Sequence, residues 1–195
     1  MEREGNSMIS RTWRVEDYLK LNLSIDSSDD DWNAAIDFLK ERFTERYFGV
    51  IDKLKNDPDS NGFAIMALNC LLIDAFYQFE NGLEETNQNK RCYTAFLRKY
   101  MRHIFENDEQ ASLFYQHIRC GILHSAQTKY GSELTFGKSY VVDFFNCGTN
   151  IRVDVIHFSE ELYNYFQNYI NRLENRNEEI TRENFLKKMQ FICRR

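Results

Sequence analysis

Proline occurs once in this chain, at Pro58, and glycine only eight times in 195 residues. These are the two residues that most often stop helices. A chain this long with so few stops folds into helices rather than a sandwich of short strands. Its length suits one domain with a full core, or one domain with a small appendage.

Apolar spacing places the helices. Trp32, Ala35, Ile36, Leu39, Phe43, Tyr47, Val50, Ile51 and Leu54 recur at steps of three and four, which predicts a first long helix over 32–54. Ser27 to Asp31 precedes it as a cap with acidic charge at the positive helix end. Asn56 to Gly62 reads as a turn-rich loop. Phe63 to Glu80 is apolar almost all round, as in a helix at the middle of a bundle. Further helices are predicted over 91–105, 109–127, 159–174 and from Thr181 to near Ile192. Between the fourth and fifth, Leu134–Phe136, Tyr140–Phe145 and Ile151–Ile156 are β-rich, with Asn146–Asn150 as a turn. The expected fold is mainly α: an up-and-down helical bundle with a small antiparallel β-hairpin at about 133–157. Residues 1–30 form an N-terminal extension packed on it, and 31–195 form the helical domain.

The net charge of −5 argues against a broad nucleic-acid-binding coat, which needs a basic face. A cleft needs only local positive potential. Lys90, Arg91, Arg98, Lys99 and Arg102 make one locally basic helix, whose ordinary reading is a solvated face. Five unpatterned cysteines suit a reducing compartment and give no zinc spacing or disulfide framework. Met1–Ser10 has no apolar core of a secretory signal. The run Phe63–Phe79, broken by Asn69, Asp74 and Gln78, reads as too short and polar to span a bilayer. The expectation is a cytoplasmic protein with no membrane partner. There is no Walker-type or dinucleotide glycine loop, and no cofactor is called for. His103 and His157 are assigned to no metal.

The chemistry is concentrated in Phe114-Tyr-Gln-His-Ile-Arg-Cys-Gly-Ile-Leu-His-Ser-Ala-Gln127. Arg119 is permanently charged and grips phosphate through a planar fork of donors. His124 is of the side-chain type that exchanges protons near neutrality. On a straight helix the two would point about 140° apart. Either the helix loosens near Gly121, or two copies of the segment meet across a two-fold axis. Asp74, inside the apolar helix, needs a partner: Arg119, or a structural contact such as Asn69 or a tyrosine hydroxyl. His117 shares a face with His124 and is a second base or a packing residue.

Arg119-Cys-Gly-Ile-Leu-His124 resembles the Arg-Asn-Gly-Leu-Leu-His form of the HEPN superfamily (higher eukaryotes and prokaryotes nucleotide-binding). The resemblance covers roughly residues 32–175. It implies a helical bundle and, in many members, a metal-independent endoribonuclease acting in toxin or defence systems. It implies Arg119 and His124 as the catalytic pair at a composite homodimer site, with Cys120, Asp74 and His117 supporting. The substrate would be single-stranded RNA, and an antitoxin-like protein is a further expected partner. Cys120 stands where active members often have Asn, Asp or His. A thiol is a weaker donor, and the rival expectation is a non-catalytic module of the same fold that binds nucleotide or RNA, or scaffolds a protein.

Overall fold

The computed structural model describes residues 10, 12–87 and 89–194. Helix α1 is Val15–Lys20, and α2, Asp29–Phe43, runs through a wide π turn, Thr44–Phe48, into α3, Gly49–Leu54. Then come α4 (Pro58–Asn81), α5 (Asn89–Tyr100) and α6 (Asp108–Phe114). A second π turn, Tyr115–Arg119, leads into α7, Cys120–Ser125. Strands β1 (Glu133–Thr135), β2 (Val142–Phe145) and β3 (Asn150–Asp154) follow, and α8 (Val155–Glu174) and α9 (Glu179–Ile192) close the chain. The protein is mainly helical with one small sheet inserted between α7 and α8. The absence of a signal core was read largely on residues outside the described ones.

The described residues fall into two compact units. The first comprises residues up to Val50, 78–84 and 167 onward; the second comprises 51–77 and 85–166. Helices α3, α4 and α8 contribute residues to both.

In the first unit, Ser28 caps α2 by accepting from the Asp31 amide, and Asp29, Asp30 and Asp31 face the positive helix end. Trp32, Phe38, Leu39 and Phe43 are buried. Phe38 meets Trp13 and Tyr18, Trp32 meets Phe185, and Phe79 meets Phe43, Tyr169 and Phe185, with ring centroids 5.1–6.3 Å apart. Burying each such ring contributes about 2–3 kcal/mol. Gly82, at φ +60°, ends α4 with the left-handed residue that helix termini favour.

In the second unit, α4 starts earlier than expected. The proposed 56–62 loop is cut short because Pro58 takes the first helical position, where its fixed φ fits and its missing N–H costs nothing. Gly62 is helical, and a Cβ there would meet the Phe136 ring, so it serves close packing rather than a turn. At 24 residues α4 is long and apolar enough to cross a membrane by length and composition, correcting the shorter reading. Half of the apolar window is buried in the protein, which is compatible with a soluble protein whose core helix this is. Phe76 packs on Phe96, Tyr165 and Phe166, and Phe114 stacks on Phe158 at 4.9 Å.

The sheet has the order β1-β3-β2. The expected antiparallel hairpin is β2–β3, turned by Asn146 and Cys147 at φ 50° and 56°, a pairing of left-handed residues that suits tight hairpins. β1 pairs with β3 in parallel, Leu134 opposite Val153, which the hairpin expectation did not include. The reason lies in β3: Ile151, Val153 and Asp154 are its buried residues, and it takes a neighbour on each side. Buried Asp154 then starts α8, accepting from the Ile156 and His157 amides and, on its other oxygen, from Lys138 N.

Candidate functional site

The second unit brings three of the sequence-selected residues together. Arg119 closes the π turn Tyr115–Arg119, in which the Cys120 amide reaches back five residues to Tyr115 O. The Arg119 residue is 8% exposed. Its Nη1 lies 3.1 Å from His124 Nε2, and its Nη2 lies 3.3 Å from Asp74 Oδ2 on α4. A guanidinium can only donate, so in this contact Nη1 donates and the Nε2 lone pair accepts. His124 itself is exposed near the end of α7.

The 140° separation supposed a straight α-helix. The helix widens one turn before Gly121, at Tyr115–Arg119, and the guanidinium sits at the end of a long side chain that wraps to reach the imidazole. The contact forms within one chain. Gly121 has a different job: a Cβ there would meet Gln127 O, and would lie 3.2 Å from Thr128 Cα and 3.3 Å from Lys129 N. The missing side chain lets the chain leave α7 and fold back across it. Ala126 turns it at φ 50°, and Lys129 N donates to His117 O at 2.9 Å.

The electrostatics favour a charged arginine. Burial works against the Arg119 cation, but the field and hydrogen bond of Asp74, with Tyr115 and Cys120, raise its pKa above the usual value. Burial pushes the Asp74 carboxyl up, and Arg119 draws it part of the way back. Two buried atoms of the pair, Asp74 Oδ1 and Arg119 Nε, have no hydrogen-bond partner among the described residues. An unsatisfied buried polar atom costs about 1–3 kcal/mol. Such a cost is usual where an arrangement serves something other than stability.

Tyr115, not singled out from the sequence, lies with its ring 5.4 Å from the Arg119 guanidinium. Its position four residues earlier on a helix was the available signal. Burial and the neighbouring Cys120 thiol raise its hydroxyl above the ordinary value. Cys120 is thus engaged with Tyr115 and half-buried beside the site.

His117 is engaged elsewhere. Its Nδ1 lies 2.9 Å from Ser132 Oγ, and its ring packs 4.8 Å from Tyr130. Ser132 Oγ accepts from Ile151 N at 3.1 Å, leaving its hydrogen to serve His117. His117 ties the returning chain to β3, and burial lowers its pKa from the ordinary 6.5. Of its two candidate roles, these contacts describe the packing one. His103 pairs with Glu161 at 2.9 Å and His157 with Asp154 at 3.6 Å. Among the described residues no three His, Cys, Asp or Glu side chains gather as a metal site.

Two adjoining cavities share Lys90, Arg91 and Thr94, and the smaller reaches Tyr115. The larger, about 660 Å³, is lined by Arg98, Asp108, Glu109 and Gln116 among others. The smaller, about 580 Å³, is lined by Asn89, Lys90, Arg91, Thr94 and Tyr115. Three of the five basic residues of the α5 region therefore line hollows rather than a plain solvated face.

Compared with protein-family models, with curated proteins and with solved structures, the chain matches none.

Proposed function

We propose that this protein is a metal-independent endoribonuclease of HEPN type that cleaves single-stranded RNA, acting as a toxin or defence effector. The observation that carries the reading is the 3.1 Å contact between Arg119 Nη1 and His124 Nε2, an exposed imidazole beside a buried, carboxylate-held cation. A substrate phosphate entering the site draws the guanidinium fork onto its non-bridging oxygens. That releases the Nε2 lone pair of His124. The imidazole takes the proton of the ribose 2′-hydroxyl as that oxygen attacks the adjacent phosphorus. The P–O5′ bond breaks, and the 5′-oxygen leaves with a proton from water or a second imidazole. The products are a 2′,3′-cyclic phosphate and a 5′-hydroxyl. Arg119 offsets charge on the phosphorane oxygens as it builds. DNA lacks the attacking hydroxyl and survives.

The composite homodimer belongs to the same proposal: a second copy would bring a second Arg119–His124 pair to one crevice and supply the imidazole that protonates the leaving group. Phe63 and Leu71, exposed on α4, which also carries Asp74, offer an apolar surface for it. Five free thiols suit the cytoplasm, and an antitoxin-like protein is the partner such an effector requires.

One observation favours the rival, non-catalytic module. Arg119 is buried and tied to Asp74, as a purely architectural arginine would be. The two readings separate on single-stranded RNA in EDTA. Wild type cuts, while Arg119→Ala and His124→Ala lose at least about 100-fold in rate with folding intact. If no version cuts, or the variants cut like wild type, the nuclease reading is overturned.

A further inference from the structure

The smaller cavity holds a set of groups that the cleavage chemistry does not use. Lys90 and Arg91 bring two cations, Thr94 and Asn89 a hydroxyl and an amide, and Tyr115 an aromatic ring. Among the described residues no carboxylate lines it. The larger cavity shares Lys90, Arg91 and Thr94 and adds Arg98, Asp108 and Glu109, with Arg98 donating to Asp108 Oδ1 at 3.0 Å and Phe105 O at 2.6 Å. The smaller one presents the same two cations without those carboxylates, beside the Tyr115 ring. At about 580 Å³ it falls in the size range of small-molecule sites. Paired cations next to an aromatic ring are the combination that holds single-stranded nucleic acid, the cations on phosphate and the ring under a base. Tyr115 joins this cavity to the catalytic candidates, because the Arg119 guanidinium lies 5.4 Å from its ring centroid.

We propose that the Asn89–Lys90–Arg91–Thr94–Tyr115 cavity is a nucleotide subsite for single-stranded RNA. It seats a base against Tyr115 and the phosphate on Lys90 and Arg91, so that an adjoining phosphodiester is delivered to Arg119. The choice of RNA over other polyanions rests on the nuclease reading; the cavity chemistry does not. It reconciles a net charge of −5 with a polyanionic ligand, since the positive potential is local.

The test measures binding, not cleavage. A fluorescently labelled ten-nucleotide single-stranded RNA is titrated by anisotropy with full-length His124→Ala protein in EDTA, over a range of salt. Adding Lys90→Glu and Arg91→Glu should weaken binding at least tenfold, and should lower the salt slope by about 1.4, two single-strand phosphate contacts. Lys53→Glu with Lys138→Glu makes the same change in net charge at exposed lysines lining neither cavity, and should change affinity less than threefold. Tyr115→Leu should weaken binding about tenfold, with Tyr115→Phe restoring it because the ring is kept. Thermal melts confirm that each variant is folded. Equal weakening by the two charge reversals overturns the subsite. So does competition by heparin or duplex RNA as strong as that by unlabelled single strand. Groove-dependent binding without cleavage sinks the nuclease reading and leaves the subsite; cleavage with groove-independent binding does the reverse.

Discussion

Two buried arginines, one in each unit, show how differently the same side chain can be used. Arg182, in the first unit, is 3% exposed; its Nε donates to Leu173 O at 2.8 Å and its Nη2 to Glu174 O at 3.3 Å, and it lies 4.3 Å over the Trp32 ring. It closes the carbonyl end of α8, where helices leave acceptors unpaired. Burial lowers its pKa, and no carboxylate among the described residues is bonded to it. Arg119, in the second unit, has a carboxylate partner that holds it charged, a buried Nε with no hydrogen-bond partner among the described residues, and its fork turned to an exposed imidazole. One arginine has its donors placed on fixed carbonyls. The other has a carboxylate on one side and an exposed imidazole on the other. On the proposed function, the difference separates a residue that holds a fold from one that meets a ligand.

The largest expected effect breaks that comparison at its centre. Arg119→Lys keeps the charge but loses the fork, and should lower RNA cleavage at least about 100-fold in a single-turnover assay. Arg182→Lys should leave cleavage within about threefold at a temperature where it is folded, while lowering unfolding free energy in urea by about 2 kcal/mol. If both variants lose stability alike and neither loses activity, the two arginines are the same kind of residue. Next in size is Gly121→Ala. Its Cβ would press on backbone at Gln127, Thr128 and Lys129, which cannot swing aside as a side chain does. A loss of about 1–3 kcal/mol is expected in the same unfolding measurement; an unchanged midpoint would show that the returning chain does not lie against α7.

Smaller effects sharpen the electrostatics. Burial holds His117 below its ordinary 6.5, so the unfolded chain takes up the proton first as pH falls. Stability is therefore full above 6.5 and declines below it, by at most about 1.4 kcal/mol per pH unit from this group. His117→Gln should flatten that decline, whereas a pH profile unchanged by it rejects the assignment. Smallest is Asp74→Asn. It keeps a partner for Arg119 but removes the charge, so cleavage should fall about tenfold while stability stays within about 1 kcal/mol of wild type. A large stability loss instead would make Asp74 an architectural partner like those of Arg182.

Much of the helical part was legible because apolar spacing and caps agree. Trp32 to Leu54 marks the continuous α2–α3 run, which starts only three residues earlier, at Asp29. Elsewhere tertiary contact outweighed local signal. Asn56–Gly62 has turn composition, yet Pro58 can open a helix as readily as prevent one, and Gly62 answers to Phe136, 74 positions away in sequence. Nothing in Glu133–Thr135 says whether its neighbour runs parallel or antiparallel; β3 decides that. Within the candidate site the residue types were visible, and the contact of Arg119 with Asp74 was one of two open readings. The route by which Arg119 meets His124 was not, since Cβ directions on a helix do not say how far a long guanidinium side chain wraps to reach a neighbour. For His117 the shared helical face left a second base and a packing role both open, and Ser132, fifteen residues on, takes its ring nitrogen.

The widened turn at Tyr115–Arg119 amounts to one surplus residue in the helical count. Removing the exposed Gln116 would let the ladder close at its regular pitch and swing everything from Arg119 onward through about 100° relative to α6. The phase of the whole candidate segment thus hangs on a single peptide unit. A short deletion there would be far more disruptive than most point changes, even though none of the candidate side chains would be missing.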